Sequence, residues 1–349
     1  MAYSTISKPS LYFNTLLYTG NGNANNAITG VGFTPDFVWQ KRRDGGNDHV
    51  LFDKVRGATK VIQTGSTGVE QTSSSNQDTQ SLDSDGFTVG TPSKFGGINA
   101  NGGTSVAWNW KANGAGSSNS DGSITSTVSA NTTAGFSVVT YTGTGSTATV
   151  GHGLGVKPDI VIYKERNNTN AWRVMHDING TLKRIYLNTT AAEASIIDSS
   201  TAPTNTLLNI GTGSEVNRSS GTFVAYCFAS KRGYSKFSSY TGNGDADGAF
   251  IYTGFKPAFI IIKESSNARD WIMVDNKRDV DNVVSNRLFP NGTSAQNTNN
   301  DMLDFTSNGF KIRNSNTTAN NNGGTYIYMA IAEEPLVANV GASIPATAR

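Results

Sequence analysis

Apolar residues along this chain fall in short runs, separated by polar stretches of Gly, Asn, Ser and Thr. Three of the runs are alike: Asp36-Phe37-Val38-Trp39-Gln40, Asp159-Ile160-Val161-Ile162-Tyr163 and Ala258-Phe259-Ile260-Ile261-Ile262. Each is nearly continuous in β-branched and aromatic residues rather than alternating, which predicts a central strand covered on both faces. Pro35, Pro158 and Pro257 stand directly before them, where a strand start needs no ladder N–H. A second set opens with Gly-Thr and ends in an aromatic-rich strand: Gly103 to Trp110, Gly221 to Phe228 and Gly324 to Met329. Asp85-Gly86-Phe87 and Asn308-Gly309-Phe310 add hairpin turns, because both turn residues tolerate positive φ. The middle copy lacks that dipeptide, so its loop is expected to differ.

These runs recur with fixed spacing. Tyr-Thr-Gly occurs at Tyr18, Tyr141 and Tyr240, and each tyrosine is followed 17 residues later by Pro35, Pro158 or Pro257. Six residues beyond each proline comes Lys41, Lys164 or Lys263. The spacing predicts three copies of one module, at about 11–112, 134–230 and 235–334. Short strands punctuated by turns, in units of this size, point to an all-β chain of three tandem antiparallel β-sandwich (jelly-roll-like) domains, with a small barrel as the competing form. Residues 113–133, rich in Gly, Ser, Asn and Thr, read as a flexible or extended spacer. Residues 1–10 and 335–349 read as terminal arms, either frayed or docked on a neighbour.

An Asp follows each module lysine, at Asp53, Asp177 and Asp275, with polar residues midway. A hairpin folded there is expected to bring each Lys opposite or near its Asp, a pair stabilised by at most ~1 kcal/mol. Trp172 and Trp271 each lie eight residues past their lysine. They read as packing residues first and as candidate glycan contacts second.

Composition narrows the function classes. With 28 Lys and Arg against 26 Asp and Glu, no surface charge calls for nucleic acid or an anionic membrane. The start lacks the basic and apolar regions of a signal peptide, so cytoplasmic synthesis without export by that route is expected. No apolar stretch approaches a bilayer span. The single cysteine, Cys227, lies in an apolar run and reads as a small core residue. His49, His152 and His176 share no metal-ligand spacing, and no nucleophile elbow or phosphate loop is present. Gly151-His152-Gly153-Leu154-Gly155 leads into a strand and reads as a turn. Asn243-Gly244-Asp245-Ala246-Asp247-Gly248 begins like a calcium loop, but its twelfth position is Gly254 where a bidentate Glu is needed. Glu333 and Glu334 are neighbours on a strand end, so their side chains are expected on opposite faces. The expectation is a non-enzymatic protein with no catalytic residues, metal or cofactor.

The opening Met1 to Gly20, the segments Gly32 to Trp39, Phe52 to Gly57, Leu82 to Phe87 and Tyr234 to Gly244, and the ends Ala330 to Pro335 and Pro345 to Arg349 carry a resemblance. Over nearly its whole length the chain resembles a repeat-domain family of marine and aquatic tailed bacteriophages, including cyanophages and pelagiphages. The resemblance implies a structural virion protein, tail-associated and involved in host attachment as a tail fibre or tail-tip component. A capsid decoration protein is the alternative, and a glycan-degrading tail depolymerase a distant third. It implies assembly in the bacterial cytoplasm, other virion proteins as partners and a host surface glycan as a candidate ligand. By analogy with phage fibres it implies a homo-oligomer, a trimer.

Overall fold

The computed structural model describes residues 4–299 and 301–336, and they form an all-β protein whose paired strands all run antiparallel. One strand order repeats three times. The tyrosine strand (Phe13–Thr19, Phe136–Thr142, Ser235–Thr241) pairs with a closing strand (Thr104–Trp110, Thr222–Phe228, Thr325–Pro335). The closing strand pairs with the apolar strand after the proline (Phe37–Arg42, Ile160–Glu165, Phe255–Glu264). That strand pairs with a return strand (Val50–Asp53, Arg173–His176, Trp271–Asp275). Registers correspond: Phe37, Ile160 and Phe259, each two residues past its proline, face the last residue of the return strand. In the third unit the strand begins earlier, and Pro257 lies at a register shift inside it, a place where its missing N–H is tolerated.

Each larger sheet is packed on both faces, which explains the continuous apolar runs. One face meets a smaller sheet of the same unit. Val38 and Phe52 pack with Phe87 and Val89, Val161 and Met175 with Leu208 and Ile210, and Ile260 and Val274 with Phe305 and Phe310. The other face turns inward. Phe37, Trp39 and Leu51, then Ile160, Ile162 and Val174, then Phe259, Ile261 and Met273 all belong to one cluster shared by the three units. Alternate residues of one strand thus serve two cores. Aromatic contacts cross the unit boundaries at the centre: Phe37 to Tyr226 at 4.5 Å, Phe13 to Phe259 at 5.2 Å and Phe228 to Phe237 at 6.0 Å between ring centroids.

Two expectations are corrected here. The stretch expected to be a spacer contributes strands Ser117–Asn119 and Ser126–Asn131, which extend the second unit's sheet to eight strands. Polar composition concealed them because an edge of a sheet tolerates Ser and Thr. The N-terminal arm, over its described part, folds onto its own chain: Ile6 is buried in the shared cluster and Pro9–Leu11 forms a 3-10 turn. Residues 337–349 of the expected C-terminal arm lie outside the described residues. As expected, the middle unit differs in its smaller sheet, which has two strands where the others have three.

Candidate functional site

The repeated lysines are buried and donate to backbone carbonyls. Lys41 Nζ reaches the carbonyls of Arg42 at 2.7 Å, Gly45 at 2.9 Å and Thr293 at 3.3 Å. Lys164 Nζ reaches Asn170, Thr67 and Asn168 at 2.8, 3.1 and 3.3 Å. Lys263 Nζ reaches Glu264, Thr190 and Asn267 at 2.6, 3.2 and 3.3 Å. Three acceptors match the three hydrogens of an ammonium. Burial lowers each lysine to about 8. In every socket the threonine carbonyl comes from a different unit.

The expected Lys–Asp pairs do not form. Register places Asp53 opposite Phe37 and Asp275 opposite Phe259, at the far end of the hairpin from Lys41 and Lys263. Four residues of strand put them roughly 13 Å apart. Lys263 instead faces Trp271.

Around each lysine the same seam is built. The carbonyl two residues past the lysine accepts an N–H three residues past the partner threonine. The three bonds are Gln296 to Arg43 at 2.7 Å, Glu70 to Arg166 at 2.7 Å and Glu193 to Ser265 at 2.8 Å. Side chains follow the backbone: Arg43 Nε donates to Gln296 at 2.8 Å, and Arg166 donates to both oxygens of Glu70 at 2.8 and 2.9 Å. Burial works to raise Glu70, but Arg166 and Arg56 outweigh it and hold the carboxyl below its ordinary value. Trp172 and Trp271 are buried, which agrees with their first reading as packing residues and corrects the second, as glycan contacts. Their indole N–H groups cross the seams to the carbonyls of Gln63 at 2.9 Å and Tyr186 at 3.0 Å. In the first unit His49 holds that position. Its Nδ1 accepts from the Trp39 indole at 2.9 Å.

A charged cluster lies deeper in two seams. Asp53 receives Arg56 at 2.5 Å and, across the seam, the Tyr226 hydroxyl at 2.8 Å. Asp275 receives Arg278 at 2.6 Å and the Trp108 indole at 3.0 Å. The register gives this position in the middle unit to His176, not to Asp177, which sits one residue further and pairs with Lys157 on the surface. Asn179 replaces the arginine and Met329 the cross-seam donor, so all three members change together. That is the expected pattern, since a lone buried carboxylate without its cation costs several kcal/mol. His176 faces Glu193 at 3.4 Å instead.

Sequence reading missed a further repeated residue. Asn99, Asn217 and Asn320 each stand four residues before the Gly-Thr of a closing strand and are buried. Each amide clamps the loop after Tyr-Thr-Gly. Asn320 Nδ2 donates to Asp245 and Asn314 carbonyls at 2.7 and 2.8 Å while its oxygen accepts from Asn243 at 2.9 Å. Asn99 and Asn217 repeat the pattern. The calcium-like loop is therefore a hydrogen-bonded turn, with Asp247 held by Lys311 at 2.9 Å.

Other chemistry is sparse. No group of three or more His, Cys, Asp or Glu suited to a metal occurs among the described residues. Cys227 is buried, and burial pushes its thiol up to about 12. A cleft of about 220 Å³ lies between the first and third units, lined by Phe13, Asn276, Lys277, Glu333 and Glu334 among others. Both glutamates line it, against the expectation of opposite faces. Burial first, and then Glu333, raise Glu334, while Lys256 Nζ stands 3.2 Å from Glu333. On the outer surface, Phe250 and Tyr252 are exposed on the edge strand Phe250–Tyr252. The matching strands of the other units hold Ala27 and Thr29, or Thr149 and Gly151. No helix among the described residues is long and apolar enough to cross a membrane.

A family model described as "Domain of unknown function (DUF7483)" matches residues 8–335, and the chain belongs to that family. No curated protein and no solved structure matches the chain.

Proposed function

We propose that this member of the DUF7483 family is a structural protein of a tailed-bacteriophage virion, tail-associated and engaged in host attachment, with capsid decoration as the alternative position. One observation carries the structural reading. The residues that recur across the units are spent on holding loops and seams rather than on lining a common cleft. The virion reading rests on the family resemblance of the opening and closing segments. The attachment surface we place on Phe250 and Tyr252. Their rings are exposed in the third unit, and the matching strands do without aromatics, so the fold does not require them.

The test is mass spectrometry and cryo-EM of purified particles of the phage that encodes the chain. Density for the chain at the tail is expected. Its absence from washed particles defeats the proposal, and density on the capsid shell selects the alternative. The Glu333–Glu334 cleft gives the depolymerase reading its one foothold. Purified protein incubated with host surface polysaccharide should leave the polymer length unchanged. Shortening that is lost in Glu334→Gln would establish an enzyme instead.

A further inference from the structure

We infer that the chain is a covalently fused trimer: its three units close a ring through one head-to-tail surface, and the protein acts as a single copy. The second unit's hairpin docks on the first unit through Lys164 to Thr67. The third docks on the second through Lys263 to Thr190, and the first docks on the third through Lys41 to Thr293. Donor and acceptor sit at matching positions in all three seams, because Ile62, Ile185 and Leu288 face Leu51, Val174 and Met273 in the same register. Each threonine lies five residues past those apolar residues.

A surface that binds a different surface on the next copy is heterologous. Such contacts make open filaments unless the rotation closes. Here it closes at three, since the first unit's hairpin fills the site left on the third. The central cluster draws on all three units, so no unit's inner face remains for a further copy. The surface's partner is thus another module of the same chain, and the trimer expected from phage fibres is already present in one polypeptide. Fusion also explains the odd seam. In a trimer of identical chains every seam must be the same. Only linked copies allow Asp–Arg clusters in two seams and His176 facing Glu193 in the third.

The inference is independent of the virion proposal. Its test uses the full chain with a site-specific protease sequence inserted between Gly114 and Ala115, in the turn ahead of Ser117–Asn119 where the Gly114 surroundings are open. Light scattering of the uncut protein should give the mass of one chain, 36.9 kDa. After cutting, both fragments should still elute together at that mass and part only in denaturant. A mass of two or more chains before cutting, or separation of the fragments under native conditions, overturns the inference.

Discussion

At the scale of single residues, buried charge sets the behaviour. Lysine in an unfolded chain titrates near 10.4, whereas burial lowers Lys41, Lys164 and Lys263 to about 8. Between those values the unfolded state binds more protons than the folded one, so stability rises with pH. Above pH ~10 the sign reverses. Unfolded tyrosines then ionise, while burial raises Tyr141, Tyr163, Tyr226 and Tyr240 and keeps them protonated in the fold. Denaturant titrations should therefore show stability climbing from about pH 8 to about 10 and falling beyond it, with the raised Cys227 thiol opposing part of the climb and each single Lys→Met change lowering it. A flat profile through that window counts against the sockets. Arg56→Ala leaves Asp53 buried without its cation and should cost about 3–5 kcal/mol. The middle unit offers the reverse experiment. His176→Asp alone should destabilise, and adding Asn179→Arg should restore part of the loss, with a coupling of about 1 kcal/mol or more in a double-mutant cycle. Additive effects would mean that the three positions do not act as one cluster.

At the scale of elements, the turn after each tyrosine strand is the most constrained piece. A Cβ at Gly20, Gly143 or Gly242 would meet a backbone carbonyl at 2.4, 2.4 and 2.3 Å. Gly22, Gly145 and Gly244 follow in the left-handed region, at φ of +74, +78 and +68°, where a side chain is strained. Gly143→Ala should lower the unfolding midpoint by a cost of about 1–3 kcal/mol. Gly155→Ala, where nothing lies within 4 Å, should cost only about 1 kcal/mol from its positive φ. Equal costs would show that the close approach does not matter. The hairpins explain why the Lys–Asp expectation failed. Counting residues correctly joined two strands, but a count does not say which residues face each other. Lys263 faces Trp271 across seven residues, where a Lys263–Asp275 pair would leave eleven, so the aspartate runs four residues past the lysine along the hairpin.

At the scale of the whole molecule, the shared cluster couples the units. Modules joined by linkers usually unfold separately, whereas here Trp108, Trp172 and Trp271 sit in one core with Phe37, Tyr226 and Phe259. Calorimetry, near-ultraviolet circular dichroism and far-ultraviolet circular dichroism should therefore report one coincident transition. Three resolved transitions would falsify the shared core. The Phe250→Ala, Tyr252→Ala double variant should leave that transition within about 0.5 kcal/mol of the parent, as surface substitutions do.

Much of this was legible in the chain itself. Alternation of apolar runs with Gly- and Asn-rich turns determines an all-β protein, because strand period and turn chemistry are local properties. The Tyr, Pro and Lys spacings mark the repeating strands for the same reason. The Thr-x-x-Glu or Thr-x-x-Gln of the seams (Thr67 and Glu70, Thr190 and Glu193, Thr293 and Gln296) and the asparagine four residues before each Gly-Thr were also open to counting. Their meaning was not, since a polar residue in a polar loop looks solvated until its partner is known. Only the tertiary structure decided that the continuous strands face two different cores, that Trp172 and Trp271 are buried rather than offered to a ligand, and that His176 replaces an aspartate. Each of these depends on which surface packs against which. Residues from 73 to 252 positions apart meet at the lysine sockets of the seams, and their contact energy leaves no periodicity in the sequence.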